Sequence, residues 1–473
     1  MKPYFEGGAW RSSGQPKAVT NPWTGETIAE VCVADRGAVE DALASAAKAF
    51  EVTSKIPAHE RAKTLTVIAE SLLARKSEFV ELLVAEAGKP VVFSEAEVDR
   101  AASTFRFAAA LALSDEGHAI RMDASPQGAG HFGLVKRFPL GVILGITPFN
   151  FPLNLVAHKV APCLASGNTM ILKPALKTPL TALLLAEVLE SAGLPAGQIN
   201  TMPFGHDAVD FLLADDRIKM LSFTGGVDVG WNLKARAKKQ KVALELGGNA
   251  AVIVEPDTDL AAAIPKIAAG AFGYAGQSCI SVQRIFVHRS ILERFSKEFA
   301  SHVIAKCHAG DPRDRQTVLG PMIDAGARAK IVQWVRDAEH AGARLLTPLR
   351  EEGRSLLHPV VIASAPRSAA VACEEAFAPL VVIDGYDDFS EALAQVNDSA
   401  FGLQAGVFTR DISRALHAFE TLEVGGVLIN QVPTFRVENM PYGGLKDSGF
   451  GREGLRYAIE EMTEPRSLIV NLA

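Results

Sequence analysis

Near the N-terminus, apolar side chains recur at the three- and four-residue spacing of helices that bury one face. This pattern predicts helices over 36–50 and 59–87, the second ending where Gly88 and Pro90 cannot continue it. The apolar positions that support the two helices are Val39, Ala42, Leu43, Ala46, Phe50, Leu65, Ile68, Leu72 and Leu82.

From residue 142 the pattern changes to short apolar runs that alternate with helical stretches near 153–165, 180–191 and 227–238. The alternation starts again after Asn249. The runs lie at 142–146, 170–172, 220–223, 242–246, 251–254, 284–287, 380–383 and 427–429. Strand and helix in alternation predict parallel sheets covered on both faces, and the restart predicts a domain boundary after residue 248.

One segment lies outside this alternation. Residues 119–135 hold two strand-like runs around a turn at 125–130 that is rich in Gly and Pro, which predicts a hairpin. A projecting hairpin often pairs with another subunit, and the tail at 467–472 has the pattern of an extra strand for it.

Length and charge narrow the class of protein. At 473 residues the chain exceeds the size of one hydrophobic core, so two or three domains are expected. The net charge of −6 provides no basic surface for nucleic acid. Five scattered cysteines indicate a reducing, cytoplasmic setting rather than a disulfide framework, and the start lacks the apolar run of a signal peptide. Residues 138–157 carry no charge, but their prolines argue against a membrane span.

Two short motifs contain candidate catalytic residues. Cys279 follows Gly276-Gln277-Ser278, and Glu245 precedes Leu246-Gly247-Gly248. A thiol in a glycine-containing turn is a candidate nucleophile, and a carboxylate at a strand end is a candidate base. A lone cysteine is more often a small buried residue, and a strand-end glutamate more often pairs with a lysine.

A candidate phosphate site lies at 223–230, where an apolar strand leads into a helix through Gly225 and Gly226. Glycines allow a close approach of the backbone, and a helix N-terminus favours an anion. The spacing is not that of the dinucleotide fingerprint, so a tight turn without a ligand is an equal alternative. Lys173 ends a neighbouring strand and is a candidate ligand or a solvated lysine.

Several motifs occur in one order along almost the whole chain. They are Thr147-Pro148-Phe149-Asn150-Phe151-Pro152, Ile171-Leu172-Lys173-Pro174, residues 223–230, Leu244-Glu245-Leu246-Gly247-Gly248-Asn249, Gly276-Gln277-Ser278-Cys279, Glu374-Glu375-Ala376-Phe377-Ala378-Pro379, and Pro441-Tyr442-Gly443-Gly444-Leu445-Lys446-Asp447-Ser448-Gly449. In this set the chain resembles the aldehyde dehydrogenase superfamily.

The resemblance implies an α/β fold of two Rossmann-like parallel-sheet domains plus a projecting β-hairpin for oligomerisation. The expected cofactor-binding domain comprises 1–118 and 139–248, and the catalytic domain 249–455. The expected oligomerisation element comprises 119–138 and 456–473. A homodimer or homotetramer is the expected assembly.

The resemblance also implies catalytic roles. Cys279 attacks the aldehyde carbon, and the Asn150 amide and the Cys279 backbone N–H stabilise the resulting oxyanion. Glu245 activates the water that hydrolyses the thioester. No metal is implied.

For the cofactor, the resemblance implies NAD or NADP. The implied binding residues are Thr147, Pro148, Phe149, Lys173, Ala175, Leu176, Gly225, Gly226, Val229, Leu246, Glu375 and Phe377. Many NAD-preferring relatives carry a glutamate where this chain has Leu176. Without that charge a 2′-phosphate is not repelled, and Lys177 is a candidate partner for it.

The expected substrate is a small polar or anionic aldehyde. Residues 433–442 resemble branches that act on lactaldehyde, glyceraldehyde and phosphonoacetaldehyde. Arg436 and Arg106 are candidates for binding a substrate anion, and a structural ion pair is the alternative for each.

Three other readings stay open at this point. A CoA-acylating semialdehyde dehydrogenase would have little use for Glu245. A catalytically idle family member would have no reason to keep Cys279, Asn150 and Glu245 together. A cysteine hydrolase lacks a histidine at a convincing spacing after the nucleophile.

Overall fold

The computed structural model describes residues 1–114 and 117–472. Its helices mostly bury one apolar face, as the spacing predicts. The α-helices are α1 (Arg36–Thr53), α2 (Ala58–Ala74), α3 (Lys76–Ala87), α4 (Val91–Ala112), α5 (Asn154–Ser166), α6 (Leu180–Ser191), α7 (His206–Ala214), α8 (Val227–Arg236), α9 (Leu260–Phe272), α10 (Arg289–Lys306), α11 (Ala325–His340), α12 (Ala370–Cys373), α13 (Phe389–Asn397), α14 (Ile412–Thr421) and α15 (Leu455–Glu461). Short 3₁₀ turns lie at Met122–Ala124, Pro126–Gly128 and Gly273–Gly276.

The strands include every apolar run that the sequence predicts. They are β1 (Tyr4–Glu6), β2 (Ala9–Arg11), β3 (Gln15–Thr20), β4 (Thr27–Val33), β5 (Gly117–Ile120), β6 (His131–Pro139), β7 (Val142–Ile146), β8 (Thr169–Lys173), β9 (Ile199–Thr201), β10 (Ile218–Thr224), β11 (Lys241–Glu245), β12 (Ala250–Val254), β13 (Val282–His288), β14 (Arg344–Leu345), β15 (Glu351–Glu352), β16 (Leu356–Leu357), β17 (Val360–Ala363), β18 (Leu380–Tyr386), β19 (Phe401–Gly402), β20 (Gln404–Phe408), β21 (Gly426–Ile429), β22 (Leu445–Lys446), β23 (Gly449–Phe450) and β24 (Thr463–Asn471).

The first large sheet has the order β2-β1-β9-β8-β7-β10-β11-β23. Its centre, from β9 to β11, is parallel, and its flanking strands β1, β2 and β23 are antiparallel. Strands β7 and β8 are buried along their whole length because helices cover both faces. Strand β23 reaches this sheet after the chain has passed through the second one, so residues from the segment 249–455 contribute to the first sheet.

The second large sheet has the order β14-β17-β18-β13-β12-β20-β21. It is parallel except at β14, which pairs antiparallel with β17. In chain order it begins with β12, and α9 and α10 pack against it through Ile267, Phe295 and Phe299. Apart from β23, the strands of the first sheet therefore precede those of the second along the chain.

The hairpin and the tail form a separate three-stranded sheet. Strand β5 pairs antiparallel with β6, and β24 pairs with the other edge of β6 from Thr463 to Asn471. The predicted hairpin and its extra strand are both present, with β6 longer than expected. Strand β24 is exposed along almost all of its length.

The segment 59–87 differs from the expected single helix. It forms α2 and α3, separated at Arg75, where the backbone has φ −101° and ψ 20°. The Arg75 guanidinium pairs with Glu78 and with Glu187 of α6, so a tertiary contact holds the break. In the part of the chain that the structure describes, no helix combines the length and apolarity that a membrane crossing requires.

Candidate active site

Four neighbouring strands of the first sheet bring polar residues to one edge. Strands β8, β10 and β11 end at Lys173, Thr224 and Glu245, and Thr147 follows β7 directly. Because the strands are parallel and in register, with Ile146 beside Lys173 and Thr224 beside Glu245, these residues share the carboxyl edge of the sheet. This edge is where open α/β sheets place their ligands.

The Cys279 loop is held in a strained conformation. Tyr274 and Ala275, in the 3₁₀ turn before it, have φ of 52° and 55°, a left-handed backbone that costs energy for residues with a Cβ. The Gln277 side chain fixes the loop by accepting from the Ile323 N–H at 2.9 Å. A Cβ at Gly248 would lie 2.3 Å from the Cys279 carbonyl oxygen, so only glycine permits this approach.

A cavity of about 440 Å³ brings the three predicted catalytic residues together, since Cys279, Glu245 and Asn150 all line it. The Asn150 amide nitrogen donates to the Gln277 carbonyl at 3.0 Å, which fixes the amide beside the nucleophile's loop. The Asn150 carbonyl oxygen is buried without a partner.

Glu245 is buried, and neither carboxylate oxygen has a hydrogen-bond partner in the described residues. Burial and the negative charge of Glu453 raise its pKa well above the usual value, although Arg436 and Lys159 act in the opposite direction. A buried carboxyl group with a raised pKa is a stronger base than a solvated one.

Burial raises the pKa of the Cys279 thiol to about 12, and the nearby Glu375 and Glu245 charges add to the effect. The Tyr442 hydroxyl lies 3.1 Å from the Cys279 sulfur and favours the thiolate. The thiol therefore ionises only with help from its neighbours.

A buried network of charges borders the same cavity. Arg436 donates to the His158 ring at 2.8 Å and lies 3.5 Å from Glu453, which also pairs with Lys159 at 3.2 Å. His158 pairs with Glu438 at 2.6 Å. Burial disfavours ionised Glu453 and Glu438, but their cationic neighbours outweigh it and hold both pKa values below the usual range.

The two predicted substrate arginines lie in different environments. The Arg436 side chain is 6% exposed, lines the cavity, and has a buried Nε without a partner in the described chain. Arg106 is exposed on α4 and is not among the residues that line the cavity. Arg100, on the same helix, does line it and pairs with Glu438 at 3.0 Å.

Glu375 and Phe377 lie in the loop between α12 and β18, facing the sheet edge. Glu375 accepts from the Gly248 N–H at 3.0 Å, and burial raises its pKa to about 7. Phe377 has φ 51°, and its ring lies edge-on to Phe149 with 5.8 Å between centroids. The loop, which belongs to the second half of the chain, thus contacts Phe149 and Gly248, which belong to the first.

The cleft offers unpaired groups to a nucleotide. The hydroxyls of Thr147 and Thr224 are buried without partners in the described residues. Lys173 is buried with no ion pair in the same ranges, and burial lowers its pKa. Gly226 is the N-cap of helix α8, and no side chain in the described residues caps the first amides of the helix. A Cβ at Gly226 would meet nothing within 4 Å. These groups fit a dinucleotide with a negatively charged pyrophosphate.

The remaining predicted cofactor residues lie at or near the carboxyl edge of the first sheet. Pro148, Ala175 and Leu176 are half-buried, Val229 is exposed on the first turn of α8, and Leu246 is buried against Gly230. Lys177, the candidate partner of a 2′-phosphate, instead pairs with Asp324.

Several residues of the site were not predicted from the sequence. Tyr442 lies within a motif that carried the resemblance, so its position was a usable signal. His158, Lys159 and Glu453 carry no such signal, because helix α5 and a distant loop bring them together only in the fold.

Comparison with known proteins identifies the family of the chain. The family model described as "Aldehyde dehydrogenase family" matches residues 10–468. A 3-sulfolactaldehyde dehydrogenase of Priestia aryabhattai is 40% identical, over 99% of this chain and 98% of that protein. A lactaldehyde dehydrogenase of Methanococcus maripaludis is 37% identical, over 96% of this chain and 97% of that protein.

Solved structures share the whole fold. Aldehyde dehydrogenase 21 from Physcomitrella patens, in complex with the reaction product succinate, has a TM-score of 0.97 and 39% identity, covering 100% of this chain and 98% of that one. A glyceraldehyde-3-phosphate dehydrogenase from Methanocaldococcus jannaschii with NADP has a TM-score of 0.92 and 34% identity, covering 98% and 99%. Betaine aldehyde dehydrogenase from Staphylococcus aureus with NAD⁺ has a TM-score of 0.94 and 30% identity, covering 100% and 95%. From the family match along nearly its full length, the chain belongs to the aldehyde dehydrogenase family.

Proposed function

We propose that this protein oxidises a small anionic aldehyde to its carboxylate, with NAD⁺ or NADP⁺ as the oxidant. The observation that carries the proposal is the cavity that Cys279, Glu245 and Asn150 line together. A nucleophile, a base and an amide donor in one cavity are the parts that acyl chemistry at an aldehyde carbon requires.

The cofactor proposal rests on the cleft and on the solved relatives that hold NADP or NAD⁺. Lys173 and the unpaired threonine hydroxyls would hold the nucleotide, α8 would face its pyrophosphate, and Glu375 would accept from a ribose hydroxyl. When bound, the nicotinamide supplies the acceptor for a hydride. No carboxylate stands at position 176 to repel a 2′-phosphate, so both cofactors belong in the test.

In the proposed first step Glu245 takes the proton of the Cys279 thiol, and the sulfur bonds to the aldehyde carbon. The carbonyl π electrons move to oxygen, where the Asn150 amide and the Cys279 backbone N–H stabilise the charge. One such donor is worth about 3–4 kcal/mol in the transition state. With a hydride acceptor bound beside the thiohemiacetal carbon, Cys279 would be left holding the acyl group as a thioester.

Before the second step Glu245 releases the thiol proton to solvent, and it then removes a proton from water as the water attacks the thioester carbon. The carbon–sulfur bond breaks, the thiolate is regenerated, and the acid loses its remaining proton to solvent and leaves as the carboxylate. The raised pKa of Glu245 supports this role, because it makes the carboxylate a stronger base towards water.

The proposed substrate carries an anionic group. Arg436 and Arg100 both line the cavity, and the buried Nε of Arg436 has no partner in the described residues. Binding an anion there would satisfy a buried donor that the protein leaves without a partner. The relatives named for sulfolactaldehyde and for lactaldehyde, and the neighbour with bound succinate, support small polar or acidic substrates.

We further propose a cytoplasmic homodimer or homotetramer. All five cysteines are free, which suits a reducing compartment. Strand β24 exposes Leu468, Ile469 and Val470 on the projecting sheet, and Leu472 directly after it is also exposed. An apolar strand of this kind is usually covered by a second subunit.

The test follows reduced nicotinamide with NAD⁺ and with NADP⁺, for succinic semialdehyde and lactaldehyde, with and without CoA. The expected product is the free carboxylate, with turnover lost in Cys279→Ala. Turnover that requires CoA would replace the hydrolytic reaction with acyl transfer. No turnover from folded, reduced protein with either cofactor would reject the proposal.

A further inference from the structure

Tyr442 is held rigidly against the nucleophile. Its hydroxyl lies 3.1 Å from the Cys279 sulfur, and its ring packs with Ile280 and Leu403 and is 4% exposed. Its backbone exchanges two hydrogen bonds with Glu453, at 3.0 Å and 2.6 Å. Ring and backbone together therefore leave the hydroxyl little freedom to turn away from the sulfur.

Three charged side chains also act on the sulfur. Glu375 and Glu245 carry negative charge and oppose ionisation of the thiol, whereas Arg436 favours it, as Tyr442 does. The Arg436 guanidinium lies 3.7 Å from the centre of the Tyr442 ring. Among the described residues, the Tyr442 hydroxyl is the one side-chain group within hydrogen-bond distance of the Cys279 sulfur.

We propose that Tyr442 is a catalytic residue whose O–H donates a hydrogen bond to the Cys279 thiolate. This inference rests on the proposed function. With the neutral thiol, either atom can donate, but a thiolate has no proton, so the phenol must then be the donor. The phenol keeps its own proton throughout, because burial and the adjacent sulfur charge raise the pKa of Tyr442 well above its usual value.

The hydrogen bond has two opposing effects on rate. A shift of one pKa unit changes the thiolate population about tenfold at any pH below the thiol pKa. A more stable thiolate is also a weaker nucleophile, by about threefold per unit for a Brønsted slope of about 0.5. For a shift of one pKa unit, the hydrogen bond therefore raises the rate of attack on a carbon electrophile at neutral pH about threefold. The same bond also stabilises the thiolate when it leaves the thioester.

The experiment compares the wild-type enzyme with Tyr442→Phe, which removes the hydroxyl and keeps the ring. Tyr4→Phe is the matched control, because it removes a buried phenol that bonds Ser13 far from the cavity. Alkylation of Cys279 by iodoacetamide is followed by peptide mass spectrometry from pH 6.5 to 10. The burst of reduced nicotinamide is measured on the same proteins.

We expect the alkylation curve of Tyr442→Phe to lie about threefold below wild type across this range, with Tyr4→Phe on the wild-type curve. Superimposed curves for Tyr442→Phe and wild type, with an intact burst in both, would overturn the role of Tyr442. If the phenylalanine variant does not fold, Tyr442→Met must show the same displacement. A wild-type enzyme without burst or alkylation at Cys279 would instead reject the proposed function.

Discussion

Arg436→Gln gives the sharpest test of the proposed anionic substrate. The substitution keeps a polar side chain at a wall of the cavity but removes its charge and the unpaired Nε. We expect the enzyme to lose its preference for an anionic aldehyde over a neutral one of the same shape. Succinic semialdehyde and the corresponding amide, which has the same number of heavy atoms, are such a pair.

The size of the effect follows from burial. A hydrogen bond to a charged group is worth about 1.5–3 kcal/mol when desolvated, which corresponds to about tenfold to 150-fold in kcat/KM. Arg436 meets this condition because its side chain is 6% exposed. Arg100 is 35% exposed and already paired with Glu438, so solvent screening limits Arg100→Gln to about fivefold or less.

The assay measures kcat/KM for both aldehydes in each variant and compares the ratio of the two values. The ratio cancels losses that affect both substrates, such as the disturbance of the ion pairs with Glu453. Arg294→Gln is the control, since Arg294 is an exposed arginine paired with Glu298 on α10. A ratio in Arg436→Gln that equals the wild-type ratio would refute the role of Arg436.

The remaining predictions concern the base, the buried carboxylates and Lys177. Glu245→Gln removes the base of both proposed steps, so it should slow the burst of reduced nicotinamide and also slow steady turnover about 10²- to 10⁴-fold, measured by stopped flow. Because burial and Glu453 raise the pKa of Glu245, turnover should rise with pH through that value, and Glu453→Gln should move the rise to lower pH in a pH–rate profile. Since the folded pKa values of Glu438 and Glu453 lie below the unfolded value of about 4.3, their stabilising effect is fully present above that pH and is lost progressively as the pH falls below it; the difference in urea midpoint between wild type and Glu438→Gln should therefore shrink from pH 6 to pH 3.5. Lys177→Ala breaks an exposed pair with Asp324 and should cost less than about 1 kcal/mol by urea unfolding; a selective rise in KM for NADP⁺ would show that Lys177 binds the 2′-phosphate.

The order of the two sheets could be predicted because each buried parallel strand is a short apolar run bounded by turn residues. The positions of Thr147, Lys173 and Glu245 follow from the same signal, since parallel strands end at a common edge. The hairpin and its third strand could be predicted equally well, because strand-like apolar runs and a turn that contains Gly and Pro are local features of the sequence.

The charged wall of the cavity was not predictable in the same way. Arg100 and Arg106 lie six positions apart on α4, a rotation of about 240° around the helix axis, so only one of them can face the cavity. The sequence alone does not give the rotation of the helix in the fold. The break at Arg75 depends on Glu187 of another helix, and no nearby residue signals it.

The strand β23 has a consequence for how the protein is made. It pairs with β11 at Leu244 and Glu245, yet the ribosome synthesises it about two hundred residues later. At about 5–20 residues per second, the edge of β11 stays open for about 10–40 s of synthesis. An open strand edge invites pairing with other chains. A chain that stops before residue 449 should therefore aggregate, and slower translation should lower the yield of soluble enzyme.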